Sequence, residues 1–149
     1  YALPNWWVEG VGHWYARQIS AYHVQAQSSP GFVESKKEIG RWEPRLRRRA
    51  RVGTLPACDE FCVRMDPQPF DVREAMFAWS LVDCLMAKDE GAFRTFMSEI
   101  KGHAPSWDVT VEPTQVIAWQ RDALQAAWKV DYGGLQELWQ SHARGYPKR

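Results

Sequence analysis

The chain has 149 residues, of which 45% are hydrophobic and 25% are charged, and its formal net charge is +1. This length is enough for one domain with a buried core, and the composition is typical of a globular protein. The near-neutral charge argues against a nucleic-acid-binding protein, and no apolar run approaches the roughly 18 residues of a membrane-spanning helix.

The first predicted helix lies within residues 1–27 and is rich in aromatic residues. Pro4 suits its first turn, because a fixed φ and a missing N–H cost nothing there. Apolar residues then recur at helical spacing, which predicts a buried face made of Trp7, Val11, Trp14, Tyr15, Ile19 and Tyr22. Glu9 falls outside that face. It is followed by Gly10 and Gly12, which remove side chains where another backbone or a bound ion could approach.

Residues 28–54 are predicted to form an irregular basic excursion, since Pro30 and Gly31 interrupt the first helix and no sustained periodicity follows. The excursion contains the arginine-rich run Arg45–Arg51. Three interpretations of this run remain open: a solvated segment, a site for polyanions or anionic lipid, or a clamp for a carboxylate or phosphate group.

Residues 55–145 are predicted to form the helical core of the domain. The strongest signal is at Asp71, which precedes the apolar run 72–88 and has Glu74 three residues later, the pattern of a capping box. Further helices are predicted around residues 55–63, 93–102, 114–130 and 135–145. The fold class is therefore all-α, with five or six helices in a single domain over residues 1–149.

The three cysteines permit at most one disulfide, because their number is odd: Cys58, Cys62 and Cys84. Cys58 and Cys62 are four residues apart on a predicted helix. This spacing fits two small core side chains better than a metal-binding pair, since no second pair of cysteines or histidines lies nearby.

A motif at the start of the chain carries a family resemblance: Leu3-Pro4-x-Trp6-x-Val8-Glu9-Gly10-x-Gly12-x-x-Tyr15-Ala16. It resembles the second zinc-binding helix of the gluzincin metallopeptidases, in particular the peptidase-MA-like group. In that family a preceding His-Glu-x-x-His helix supplies two zinc ligands and the general base, and the later helix supplies a glutamate as third ligand. The resemblance implies that Glu9 is that metal ligand and that zinc is the cofactor.

The first two ligands have no counterpart in the sequence. None of the histidines is followed by Glu, and no two are spaced to share a helical face as zinc ligands: His13, His23, His103 and His142. Because the chain opens on Tyr1 rather than Met, we expect the His-Glu-x-x-His helix to lie upstream in a longer polypeptide. The alternative is a degenerate relative that kept the fold and lost the metal. Glu9 and His13, four residues apart, are read more simply as an ion pair or hydrogen bond.

The resemblance extends into the second half of the chain. The matching segments are Ala78-Trp79-Ser80-Leu81-Val82, Phe93-Arg94-x-Phe96-Met97, and the closing Val130-Asp131-Tyr132-Gly133-Gly134-Leu135-x-x-Leu138-Trp139. In the family a Tyr that points toward the active site commonly stands four residues before Trp-Ser, and here that position is Ala75. Alanine cannot donate a hydrogen bond to an oxyanion, although Tyr15 or Tyr22 could replace it if the alignment slips by one turn.

Two functions follow from these patterns. The first is the C-terminal helical portion of a gluzincin-like zinc peptidase, which supplies Glu9 but is inactive alone. The second is a non-catalytic peptidase-like domain that binds a protein partner or the remainder of a longer polypeptide through aromatic side chains and the arginine run.

Overall fold

The computed structural model describes residues 3–19, 41–65, 68, 70–103 and 111–147. Within these ranges the chain is all-helical, as predicted, with seven helices rather than five or six and no strand. The helices are α1 Asn5–Ile19, α2 Trp42–Arg51, α3 Cys58–Phe61, α4 Val72–Lys88, α5 Glu90–His103, α6 Pro113–Trp128 and α7 Tyr132–Gly145. None of the described helices is long and apolar enough to cross a membrane.

Helix α4 is the central element, and its start is the one predicted from the sequence. The Asp71 carboxylate accepts a hydrogen bond from the Glu74 backbone N–H, and the Glu74 carboxylate accepts one from the Asp71 N–H, both at 2.8 Å. This capping box satisfies two N–H groups that the first turn would otherwise leave unpaired. Nearly every side chain from Ala75 to Leu85 is buried, because α1, α2, α5 and α7 all contact this helix.

Helix α1 packs along α4 with a face that matches the predicted one only in part. Its buried residues are Trp6, Trp7, Gly10 and His13, whereas Tyr15 is 55% exposed and Ile19 is 89% exposed. The prediction is right for Trp7, which is buried, and for Val11 and Trp14, which pack partly buried against the core. The fully buried face is nevertheless rotated by roughly 100° from the predicted one. Residues 20–27 of the predicted helix, which include Tyr22 and His23, lie outside the described residues.

Helix α2 corrects the prediction that residues 28–54 are irregular. Residues 28–40 are outside the described ranges, but 42–51 form a regular helix. Trp42, Leu46 and Ala50 recur every four residues and are fully buried, so they form an apolar stripe against α7 and α4. The arginines between them occupy the remaining faces of the helix. The basic run is therefore built into the domain rather than set apart from it.

Large aromatic side chains fill the core between the helices. Trp7 stacks on Phe93 with ring centroids 4.8 Å apart, and it also meets Phe96 at 4.5 Å. Trp139 of α7 lies 6.1 Å from Phe77 of α4, edge to face. Such contacts add to the area that each ring buries. Trp7 and Trp139 thus serve packing between helices.

The cysteines are all buried and free. Cys58 and Cys62 lie at the two ends of the short helix α3, where both side chains face the core. Burial is the main cause that raises the pKa of Cys62, and a hydrogen bond with Cys58 raises it further. Burial likewise raises the pKa of Cys84 to about 12. The thiols of Cys62 and Cys84 therefore stay protonated at neutral pH, as expected of core residues.

Candidate functional site

The candidate site is built on the first turns of α1, which are held in place from two sides. The indole Nε1 of Trp6 donates a hydrogen bond to Oε1 of Gln120 on α6 at 2.9 Å, and both side chains are fully buried. Trp7, one residue on, is clamped by the phenyl rings of α5. Because neighbouring residues anchor the helix to two different elements, the backbone at Glu9 has a fixed position and rotation.

Gly10 brings α1 unusually close to α4. A Cβ atom at this position would lie 2.5 Å from the carbonyl oxygen of Ala78 and 2.7 Å from Cγ2 of Val82. Both distances are below any real carbon contact, so glycine is needed for the two helices to meet here. A Cβ atom at Gly12 would have no other described atom within 4 Å apart from its own helix. The prediction that a glycine allows another backbone to approach closely is thus confirmed at Gly10, whereas no described atom approaches Gly12 in this way.

Glu9 lies at the edge of this contact with a partly shielded carboxylate. Its side chain is 26% exposed, and its Oε2 lies 3.9 Å from Nε2 of His13, which is 4% exposed. That oxygen is itself buried and makes no hydrogen bond to any described residue. The imidazole of His13 also packs edge to face on Trp42, with ring centroids 5.2 Å apart. The structure therefore brings together the predicted pair, Glu9 and His13, at ion-pair rather than hydrogen-bond distance.

A carboxylate and an imidazole on one helical face are suitable zinc ligands, but a catalytic site needs three protein ligands. Among the described residues no three side chains of the metal-binding types converge on one point. His142 bonds Asp83 at 2.9 Å, and His103 stacks on Trp119 with ring centroids 5.4 Å apart. Within the described residues, Glu9 is thus a candidate for one zinc ligand, and His13 lies beside it. The other ligands of a three-ligand site would have to come from residues that the structure does not describe.

Two of the three positions considered for the family's tyrosine, Ala75 and Tyr15, are described by the structure. Ala75 is buried in α4, where its methyl group packs in the core. Tyr15 projects from the outer side of α1 and contacts Trp14. Tyr22 lies outside the described ranges. Of the two described positions, Ala75 has no hydroxyl and Tyr15 is mostly exposed to solvent.

A second polar cluster, which the sequence did not reveal, joins α4 to α7. Oδ2 of Asp83 accepts a hydrogen bond from the Tyr146 hydroxyl at 2.8 Å and faces His142 Nε2 at 2.9 Å. Nearby, Trp139 Nε1 donates to the buried hydroxyl of Ser80 at 2.8 Å. Burial works to raise the pKa of Asp83, but the hydrogen bonds from His142 and Tyr146 outweigh it and lower that pKa. Burial and the Asp83 charge raise the pKa of Tyr146, which keeps its hydroxyl a donor.

This cluster is structural in character. Its side chains hydrogen-bond one another across two helices, and those of His142 and Asp83 are only 25% and 27% exposed. The only sequence signal for it was an acid, Asp83, inside the apolar run of α4 and a His-x-x-x-Tyr spacing at the chain's end. Each signal by itself fits a solvated surface residue, so the pairing required the fold.

No protein-family model, no curated protein and no solved structure matches this chain. The gluzincin resemblance accordingly rests on the residues themselves, above all the run from Leu3 to Ala16. The structure adds the local setting of that run: a helix packed on the core, with a partly shielded glutamate next to a glycine at a helix crossing.

Proposed function

We propose that this chain is the C-terminal helical portion of a gluzincin-like zinc metallopeptidase, in which Glu9 supplies the third metal ligand. The observation that carries the proposal is the state of the Glu9 carboxylate. One of its oxygens is removed from solvent without a hydrogen-bond donor from the described chain. Buried polar atoms are nearly always paired, so an unpaired carboxylate oxygen is a reason to look for a ligand.

The residue types present fit zinc in part. A carboxylate oxygen is an accepted zinc ligand, and the rigid helix around Glu9 provides the fixed orientation that a ligand requires. His13 would lie next to the ligand and help to orient its carboxylate. The two histidine ligands and the general base would come from an upstream helix of the longer polypeptide. When bound, zinc would supply Lewis-acid activation of water for peptide hydrolysis.

The chain's own contribution is therefore positioning. Trp6, Trp7 and Gly10 fix the helix against three neighbouring elements, and Glu9 presents one carboxylate from that helix. On this proposal the 149-residue chain is inactive by itself.

A second candidate is a non-catalytic peptidase-like domain that serves as a binding or assembly subunit. It is favoured by Ala75, whose buried methyl group stands where the family commonly places a catalytic tyrosine. In this case Glu9 would be a remnant of a lost metal site, and the domain would act through its surface.

Zinc affinity of the natural full-length polypeptide separates the two. We expect one tightly bound zinc per chain in the unaltered protein and a loss of affinity greater than about 10-fold in Glu9→Gln, because even neighbours of zinc ligands contribute that much. Glu99→Gln, which makes the same change on the exposed side of α5, should leave zinc binding unaltered.

Metal analysis after dialysis and a competitive zinc titration provide the measurement, with circular dichroism to verify folding. Full-length protein that binds no zinc, or folded Glu9→Gln that binds zinc as well as the unaltered protein, would remove the peptidase proposal. The first of these results would favour the non-catalytic domain.

A further inference from the structure

A cleft of about 410 Å³ lies between α2 and the first turns of α4. Four arginines and two apolar residues line it: Arg45, Arg48, Arg49, Val72, Arg73 and Met76. Its location and its composition are independent of Glu9 and of the proposed peptidase function.

Three of the arginines come from one face of α2. Arg45, Arg48 and Arg49 are related by three and four residues, so their side chains leave the helix in the same direction. The neighbouring face of the helix is held in the core by Leu46 and Ala50, which are fully buried. The cleft arginines therefore sit on a helix that cannot rotate to disperse them.

Arg47, which lies outside the cleft, has a structural partner, and within the cleft Arg49 lies over the Phe77 ring at 5.6 Å. Arg47 Nη1 donates to the backbone oxygen of Tyr146 at 2.5 Å, which ties α2 to the end of α7. In the cleft, Arg49 makes a long hydrogen bond of 3.5 Å to the Thr54 carbonyl. Arg45 and Arg48 have no acidic partner in the described part of the chain.

The local charge is consequently far from balanced, although the whole chain carries only +1. No described acid lines the cleft. One cleft arginine has an acidic neighbour: Asp71 Oδ2 lies 3.7 Å from Arg73 Nη2 in a pair that is more than half exposed. Glu74, one turn further, is paired with Arg64 instead. Like charges held together without a counter-ion repel, and a bound anion would relieve that repulsion.

We propose that this cleft binds the phosphate group of a phosphomonoester. Several guanidiniums that converge on one cavity match a compact dianion with three acceptor oxygens better than a single carboxylate, which one arginine can satisfy. Val72 and Met76 provide an apolar wall for the carbon atoms of the esterified alcohol. The phosphomonoester can be a soluble molecule or the headgroup of a lipid such as phosphatidic acid, and both present the same chemical group.

The test uses the natural full-length polypeptide with two probes at pH 8, where the phosphate is a dianion. Phenyl phosphate in calorimetric titration represents the soluble source. Phosphatidylcholine vesicles with and without phosphatidic acid, in a flotation assay, represent the lipid source. The cleft variant is Arg45→Gln/Arg48→Gln, and a matched control is Arg94→Gln/Arg121→Gln, which removes the same charge from exposed sites on α5 and α6.

We expect the cleft variant to bind at least one of the probes about 10-fold more weakly or worse, since a hydrogen bond to a charged group contributes roughly this factor. The control should stay within about twofold, because distant exposed charges are screened by salt. Arg73→Gln, on the opposite wall, should weaken the same probe while circular dichroism remains unchanged. Binding of phenyl phosphate would identify a soluble ligand, and binding of phosphatidic acid vesicles alone would identify a lipid.

Two results would overturn the proposal. One is that neither probe binds the unaltered protein. The other is an equal loss in the cleft variant and the control, which would show that binding follows overall charge and not the cleft. Neither result bears on zinc binding at Glu9, so the two proposals fail separately.

Discussion

Replacement of Gly10 by alanine should destabilise the domain, although alanine is the better helix former. The new methyl group would approach the Ala78 carbonyl oxygen to 2.5 Å, roughly 1 Å closer than ordinary contact, and Val82 Cγ2 to 2.7 Å. Neither atom can move aside alone, because Ala78 O is backbone and Val82 is fully buried. The helices must separate, at a cost of about 1–3 kcal/mol for an overpacked core.

Gly12→Ala is the matched control. Gly12 is on the same helix, is exposed, and has nothing within 4 Å of its added methyl group. It should gain about 0.5–1 kcal/mol of stability from helix propensity alone. Since both variants share this gain, the difference between their free energies of unfolding isolates the packing cost at Gly10.

Urea unfolding monitored by tryptophan fluorescence and circular dichroism would provide both free energies. Gly10→Ala should be less stable than Gly12→Ala by about 1–3 kcal/mol. If Gly10→Ala proves as stable as Gly12→Ala, then α1 does not cross α4 at this residue, and the position assigned to Glu9 is wrong with it.

Two further variants test α2 and the α4–α7 cluster. Leu46→Ala, in the core, should lower the free energy of unfolding in urea by about 2–5 kcal/mol. Val52→Ala, at an exposed position, should change it by less than about 0.5 kcal/mol. Equal effects would show that α2 does not pack against α7 and α4. Asp83→Asn should cost about 1–3 kcal/mol at neutral pH, because the charged carboxylate accepts hydrogen bonds from Tyr146 and His142. The pKa of Asp83 is lowered in the fold, so its contribution is complete above the unfolded pKa of about 4 and disappears as the pH falls through the folded value. The stability gap between the wild type and Asp83→Asn should therefore begin to narrow as the pH falls below about 4, and it should be smallest below the lowered folded pKa of Asp83. A gap that stays constant as the pH falls through this range would contradict the assignment.

Helix α4 could be predicted from the sequence because all its signals are local. The carboxylates of Asp71 and Glu74 reach backbone groups only three residues away, and the apolar positions that follow repeat within each turn. Nothing distant in the chain has to be known for this helix to be located. The agreement between local preference and tertiary packing is what made the prediction accurate.

Helix α2 was missed for the opposite reason. Its apolar stripe consists of just three residues, Trp42, Leu46 and Ala50, and five arginines surround it. Average hydrophobicity over such a segment is low, so it suggests a solvated loop. What identifies the helix is that these three apolar residues recur every four positions, which places them on one side of α2. The aliphatic parts of the arginine side chains can cover the remaining surface of the helix.

The face of α1 was misassigned because its centre is a glycine. Gly10 has no apolar side chain to count, and the polar His13 sits beside it in the buried stripe. When the buried face is predicted from hydrophobic residues alone, it is therefore placed too close to Tyr15 and Ile19, which are exposed. Close backbone approach cannot be inferred from composition, because it depends on the partner helix.

Glu9 and Gly10 are adjacent in the motif but have separate physical explanations. The crossing with α4 accounts for Gly10 completely, so that glycine is no argument for a metal. The short distances at Gly10 do not involve the Glu9 side chain, and they do not explain why a carboxylate oxygen is buried there without a hydrogen-bond donor in the described chain. A helix selected only for stability would carry an apolar residue or an exposed acid at this position. The residue that the fold leaves unexplained is thus the one that the resemblance marks as a ligand, and that coincidence is the strongest reason to measure zinc binding at Glu9.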